Sequence, residues 1–312
     1  MRLVTRRYLL ELMGAGAVLA ASPSLGPAAP TSAPVAAVRK SIPGTDKTMP
    51  VIGMGTWRTF NVGRDPQLRE ARTRVLEAFF EEGGGLIDSS PMYGSSQAVL
   101  GYGLEQLAYP ESLFAADKVW TRQGDATRDQ VQESAANWGV ARFDLMQVHN
   151  LLAWEPHLET LQSMKAAGEV GTIGITSSHG RRLEQVESVM ARYDLDFVQL
   201  TYNIRDRWAE DRILPLAREK GIGVIANRPY QGGSLIKGLQ RRGVKMPGWA
   251  SEMGCRTWAD FLLRFIVSHP AVTCAIPATT RVKHMRENMA AGRGVMPDAG
   301  QRQRMIEALE AF

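Results

Sequence analysis

Cysteine is almost missing. Cys255 and Cys274 are the two in 312 residues, too few for a disulfide-stapled scaffold. Cys274 falls in an apolar run, where a free thiol behaves as a small hydrophobe, so two unpaired thiols are expected. The two cysteines and five histidines show none of the ligand spacings of a metal site, and no metal is expected. His157, His179 and His269 read as surface or capping residues. No long run of lysine and arginine occurs, nor any interleaving of aromatic and basic residues. Nucleic acid, which favours a clustered basic face, is therefore not an expected partner. The formal charge of +5 is modest and suits an anionic small ligand. No Gly-x-Gly-x-x-Gly follows a strand-like run, and Gly53, Gly55 and Gly63 are wrongly spaced for one, so an open dinucleotide-binding sheet lacks its usual support.

The N-terminal segment 1–37 stands apart. Thr5-Arg6-Arg7-Tyr8-Leu9-Leu10 precedes an apolar, Gly/Ala-rich run from Leu12 to Ala21, and a Pro/Ala/Ser stretch reaches Ala37. The apolar run is well short of the roughly 20 residues a spanning helix needs, so no stable transmembrane segment is expected. A charged start, an apolar middle and small residues before a cut describe an export signal. The paired arginines resemble a twin-arginine signal, which implies the export machinery as a partner and a periplasmic destination. Val35-Ala36-Ala37 is the preferred cleavage site over Val18-Leu19-Ala20. A disordered tail carrying chance arginines is the plainer alternative.

With 44% hydrophobic residues, the chain can bury a large core. From Met49 on, short apolar runs alternate with amphipathic segments. The runs are Val51–Thr56, Leu86–Ser89, Leu113–Val119, Leu145–His149, Thr172–Thr176, Phe197–Leu200, Val224–Ala226 and Val272–Ile276. Many are β-rich and short, as buried parallel strands tend to be. Helical spacing marks Arg69–Glu82, Arg128–Trp138, Trp154–Ala167, Gly180–Tyr193, Glu210–Lys220, Thr257–Val267 and Met285–Ala291, and Gly83, Gly168 and Gly221 read as helix stops. Eight strands alternating with helices predict an α/β fold, an eight-stranded parallel (β/α)8 TIM barrel over 38–312. An open doubly wound sheet is the structural alternative. The irregular stretch from Gly232 to Arg256 is expected to fold over the site or to hold a short helix.

Chemistry concentrates at strand ends, where a barrel keeps its site. Asp88 ends the second run, Tyr93 follows it in a turn, Lys118 ends the third and His149 the fourth. Tyrosine is a poor acid near neutrality, with a pKa of about 10. A nearby ammonium lowers that value, and a carboxylate can hold the ammonium in place. Each residue alone has an ordinary structural reading; four in this order make a device for giving a proton to a carbonyl oxygen.

With these residues the chain resembles the aldo-keto reductase superfamily over essentially everything after Met49. Asp88-Ser89-Ser90-Pro91-Met92-Tyr93-Gly94 is similar to its Asp-x-x-x-x-Tyr-Gly box, Ala116-Asp117-Lys118-Val119 to its lysine strand, and Asp144-Leu145-Met146-Gln147-Val148-His149 to its histidine strand. The resemblance implies Tyr93 as proton donor, Lys118 lowering its pKa, Asp88 fixing Lys118, and His149 orienting the carbonyl or assisting proton transfer. The hydride then comes from a nicotinamide, since no side chain supplies one. Gly55-Thr56-Trp57 resembles the opening strand, with Thr56 toward the cofactor and Trp57 toward the substrate. Thr176, Ser177 and Gln199 are implied carboxamide contacts, Ser177 replacing the usual Asn. Asn227-Arg228-Pro229 is implied on the cofactor side, with Asn227 and Arg228 as contacts; Asn227 takes the place of the usual stacking aromatic, a role Tyr230 or Trp57 could fill. Thr279, Thr280, Arg281, Glu287 and Asn288 resemble the adenosine end, with Arg281 suited to a 2′-phosphate. NADP is the implied cofactor, with NAD left open, and it is expected to be carried bound through export. Trp57, Trp120 and Trp208 are candidate substrate residues. The chain stops at Phe312, without the long tail of some relatives, so an open site is expected. The implied activity is interconversion of a carbonyl compound and an alcohol. A nucleotide-binding redox sensor or partner-docking module is the alternative.

Overall fold

A computed structural model describes residues 36–310 except Pro43. Apart from Ala36 and Ala37, the export-signal segment therefore lies outside the described residues. Two short antiparallel strands come first, β1 (Arg39–Ser41) and β2 (Thr48–Pro50). Eight parallel strands follow: β3 (Met54–Gly55), β4 (Leu86–Asp88), β5 (Phe114–Val119), β6 (Leu145–Val148), β7 (Thr172–Thr176), β8 (Phe197–Thr201), β9 (Gly223–Asn227) and β10 (Cys274–Ala275). Each pairs with the next in chain order. The ring closes where Gly53 N donates to Ala275 O at 2.9 Å and Ala275 N to Val51 O at 2.9 Å. This is the (β/α)8 barrel that the alternating runs predict, and the doubly wound sheet is ruled out by the closure.

Helices wrap the ring: α1 (Pro66–Glu81), α2 (Ser96–Gln106), α3 (Thr127–Trp138), α4 (Trp154–Ala166), α5 (Leu183–Arg192), α6 (Ile213–Lys220), α7 (Ser234–Arg241), α8 (Trp258–Val267), α9 (Val282–Ala290) and α10 (Ala299–Glu310). Local chemistry fixes their ends. Asp65 caps α1 through Leu68 N at 2.9 Å, with Pro66 in the first turn, where its missing N–H costs nothing. Thr257 and Asp260 form a reciprocal capping box on α8. Gly83, Gly168 and Gly221 all take positive φ just past helix ends, as expected. The stretch from Gly232 to Arg256 contains α7.

Alternation along the strands splits the apolar side chains into two cores. Leu86, Ala116, Leu145, Phe197, Ile225 and Cys274 belong to one, with Ile42 and Met49 beside the β1–β2 hairpin. Ile87, Ala115, Met146, Val148, Ile175, Val198 and Val224 face the helices in the other. Both cysteines are buried and free. His157 departs from its expected surface or capping place. It is buried on the Trp154–Leu158–Leu161 face of α4, with Thr127 Oγ1 2.6 Å from its Nδ1 and Thr121 O 2.9 Å from its Nε2. No helix among the described residues is long and apolar enough to cross a membrane, and none of them cluster as metal ligands.

Candidate active site

The inward alternation turns polar at the C-terminal strand ends. Leu86 gives way to Asp88, Ala116 to Lys118, Leu145 to Gln147 and Phe197 to Gln199, and each of these polar side chains is buried. Lys118 Nζ donates to Asp88 Oδ2 at 2.6 Å and to Ser89 O at 2.6 Å. The other Asp88 oxygen accepts from Gln199 Nε2 at 2.7 Å and Gln147 Nε2 at 3.3 Å. A buried ion pair needs this many partners to offset its desolvation.

Tyr93 ends a 3-10 turn, Pro91–Tyr93, whose start is capped by Ser90 Oγ accepting from Met92 N at 3.2 Å. Gly94 follows with φ 61, and a Cβ there would lie 2.5 Å from the Asn61 side chain. Only glycine fits that position. The turn places the Tyr93 ring over Lys118, with Nζ 5.1 Å from the ring centroid. His149 meets the ring edge-on, at 5.7 Å between centroids.

Burial pushes the Tyr93 pKa up, against the pull of Lys118, so the net shift is upward. Lys118 thus acts in the expected direction but is outweighed, and the resting phenol is protonated at neutral pH. Burial alone would lower the Lys118 pKa, but Asp88 and Tyr93 carry it above its ordinary value, so the ammonium persists. Burial, with Lys118 nearby, drives the His149 pKa well down, which leaves a neutral imidazole. Ser90 Oγ lies 2.8 Å from its Nδ1. The Ser90 hydroxyl can donate to Nδ1 while its oxygen accepts from Met92 N, and in that tautomer the imidazole proton is on Nε2.

These groups open onto a cavity of about 300 Å³. Of the residues singled out in the sequence, Gly55, Thr56, Trp57, Asp88, Tyr93, His149, Thr176, Gln199, Asn227 and Arg228 border it. Lys118 lies buried behind Tyr93. Ser177 sits beside the wall, its hydroxyl donating to Arg181 O at 2.5 Å. Asn227 joins an amide network, donating to Ser177 O at 3.1 Å and accepting from Thr201 Oγ1 at 2.7 Å. Tyr230 borders the cavity, with its hydroxyl donating to Asn288 Oδ1 at 2.7 Å. Asn288 is buried on α9, Glu287 pairs with Lys283 at 3.9 Å, and Thr279, Thr280 and Arg281 lead into the same helix. None of these five borders the cavity. Trp120 and Trp208 do not border it either: Trp120 is exposed and bonded through its backbone to Gln130, and Trp208 packs beside Gly180.

Gln147, Ser90, Arg58, Asn150 and His179 belong to the site but were not singled out for it. Gln147 was legible, being two residues before His149 on the same face of an otherwise apolar strand. Ser90 and Arg58 carry no periodic signal, because they lie in turns. His179 is exposed, as expected, and also borders the cavity.

A nicotinamide dinucleotide suits this donor set. Amides and hydroxyls from Gln199, Asn227 and Thr176 ring the wall beside Tyr93, and Gly232 and Gly233, at φ 69 and 91, border the cavity with open space where a Cβ would stand.

Comparison with known proteins agrees with the barrel. The Aldo/keto reductase family model matches residues 51–299. The methylglyoxal reductase YeaE of Escherichia coli (strain K12) is 26% identical over 253 residues, covering 78% of this chain and 86% of that protein. The NADH-specific methylglyoxal reductase of the same organism is 26% identical over 328 residues, covering 85% and 97%. Among solved structures, the glycerol dehydrogenase AKR11B4 from Gluconobacter oxydans superposes with a TM-score of 0.74 at 19% identity, covering 88% of this chain and 95% of that one. With a matching model over most of its length, the chain belongs to the aldo/keto reductase family of NAD(P)-dependent carbonyl oxidoreductases.

Proposed function

We propose that this protein interconverts an aldehyde or ketone and its alcohol, with Tyr93 as the acid. The observation that carries the reading is the buried Lys118–Asp88 pair lying under the Tyr93 ring at the floor of an accessible cavity. A carbonyl oxygen between Tyr93 and His149 receives two hydrogen bonds, one from the phenol and one from His149 Nε2–H. The phenol proton then passes to that oxygen. The tyrosinate left behind is stabilised by the Lys118 ammonium, which Asp88 and Ser89 O keep from turning away. The neutral state of His149 matters: it donates a hydrogen bond without competing as a stronger acid.

A bound reduced nicotinamide supplies the hydride. Gln199, Asn227 and Thr176 would hold its carboxamide side, and Asn288 with Thr279, Thr280 and Arg281 its adenosine side. NADP is the proposed nucleotide because Arg281 provides a guanidinium for a 2′-phosphate. The methylglyoxal reductases among the relatives support small aldehydes as substrates. Mixing the protein with NADPH or NADH and a panel of small aldehydes should consume the reduced nucleotide. Tight nucleotide binding with no turnover on any carbonyl would overturn the reading.

We further propose export by the twin-arginine route with the nucleotide already bound. The support is the Arg6-Arg7 segment, its apolar run and the small-residue tail to Ala37. Just past that segment, Val38 N donates to Gly292 O at 2.8 Å. Denaturing protein recovered from the periplasm should release a nicotinamide nucleotide. Recovery of an empty chain would refute carriage.

A further inference from the structure

The substrate's charge is written in the cavity wall, an inference that rests on the reductase reading above. Arg58 and Arg228 border the cavity together with Tyr93 and His149. Both lie near the Trp57 ring, their guanidinium carbons 4.3 and 5.9 Å from its centroid. Among the described residues, neither side chain has an ion pair or a hydrogen bond. The charges are close enough for Arg58 to disfavour the ionised form of Arg228, which is also partly desolvated.

Neighbouring acids are otherwise engaged. Asp206 is the acid that favours the Arg228 charge. Its carboxylate already accepts from Asn203 Nδ2 at 2.8 Å and Gln231 Nε2 at 3.0 Å. Asp88 is committed to Lys118. His179, whose pKa is lowered by burial and by Arg228, adds no charge near neutrality. The wall thus holds two guanidinium groups, and the one carboxylate that borders it, Asp88, is engaged by Lys118.

The backbone supports them at a cost. Arg58 and Arg228 take φ of 62 and 52, a left-handed conformation disfavoured for a residue with a Cβ. Strain concentrated around a cavity is a mark of a site held for function. Stacking on Trp57 restrains the side chains, so little freedom remains to be lost on binding.

We propose that the carbonyl substrate carries an anionic group, a carboxylate or a phosphate, which Arg58 and Arg228 receive while its carbonyl meets Tyr93. A planar guanidinium fork matches either group, and a concave wall of one sign raises the local concentration of such a substrate.

The test uses the full-length protein with saturating reduced nucleotide and two matched pairs. One is 4-oxobutanoate against butanal; the other is glyceraldehyde 3-phosphate against glyceraldehyde. The anionic member of at least one pair should have the higher kcat/KM, by about tenfold or more. A preference in the first pair assigns a carboxylate and one in the second a phosphate. The preference should shrink with added salt, be lost in Arg58→Gln and return in part in Arg58→Lys. Equal rates within both pairs would overturn the proposal, as would a preference that survives both Arg58→Gln and Arg228→Gln. The nucleotide's own phosphates are a second source of anion. Arginine variants that weaken only nucleotide binding, titrated by tryptophan fluorescence, with the substrate ratio unmoved, would also overturn it. No turnover of the four aldehydes or of any carbonyl in the wider panel would remove the reductase reading itself, and this proposal with it.

Discussion

Replacing Lys118 with methionine isolates the energetics of the buried pair. Its side chain is 0% exposed and that of Asp88 3%. Methionine fills similar space but removes the donor to Asp88 Oδ2 and to Ser89 O, both at 2.6 Å. Breaking a buried pair costs about 3–5 kcal/mol, chiefly because one charge remains without its partner. Asp88 keeps Gln199 at 2.7 Å and Gln147 at 3.3 Å, which argues for the lower end, about 3 kcal/mol. In a chain of this size that is a fall in Tm of about 5 °C. The double variant Asp88→Asn with Lys118→Met removes both charges, leaves an amide to meet Gln199, and should recover at least about 1 kcal/mol over the single variant. Urea unfolding followed by circular dichroism reads both. A single variant as stable as the parent, or a double variant no more stable than the single, would refute the assignment of an unpaired buried charge as the source of the loss.

Other expectations follow from the same geometry. Gly94→Ala adds a Cβ 2.5 Å from Asn61 at φ 61; it should cost about 1–3 kcal/mol of stability and lower kcat by displacing Tyr93, read by unfolding and by rate. Burial, with the Arg302 and Lys40 charges, holds the pKa of the half-buried His269 at about 4. The unfolded chain therefore binds the extra proton between about pH 6.5 and 4. Its contribution to stability should fall as pH drops through that window, by on the order of 1–2 kcal/mol once solvent screening is counted, and His269→Asn should flatten the slope of unfolding free energy against pH. Cys255 and Cys274 are buried with pKa values pushed to about 11 and about 12; a thiol reagent at pH 8 should label neither before denaturation and both after it.

Much of the barrel was legible because its strands are buried on both faces, which leaves short unbroken apolar runs such as Thr172–Thr176, identical in sequence and structure. The ends were less so. Val51–Thr56 contributes two strand residues, Met54 and Gly55, and otherwise closes the ring through an isolated bridge at Ile52. Helix α2 gave no signal, since Gly101 and Gly103 interrupt its pattern. The reason is steric: a Cβ on Gly101 would stand 2.2 Å from Asn137 O, so glycine lets α2 approach α3. The β1–β2 hairpin, three residues a strand, is too short for alternation to register.

At the site, the strand-end residues could be read from position alone, because inward alternation aligns Asp88, Lys118, Gln147 and Gln199. What could not be read was the sharing of one carboxylate by three donors. Gln199 is expected as a carboxamide contact, and in the structure its amide also donates to Asp88. Turn geometry was equally silent: nothing in the order of residues sets Ser90 against His149, or brings two arginines toward Trp57.

The central claim is that the Tyr93 hydroxyl delivers the proton to the carbonyl oxygen. The most direct measurement is kcat for reduction of a small aldehyde by Tyr93→Phe, with nucleotide binding checked in the same sample. Phenylalanine keeps the ring over Lys118 and against His149 but has no proton to give. The account predicts a fall in kcat of about 10²-fold or more, with the nucleotide still bound; a kcat within about twofold of the parent's, where general-acid loss should exceed that by far, would contradict it.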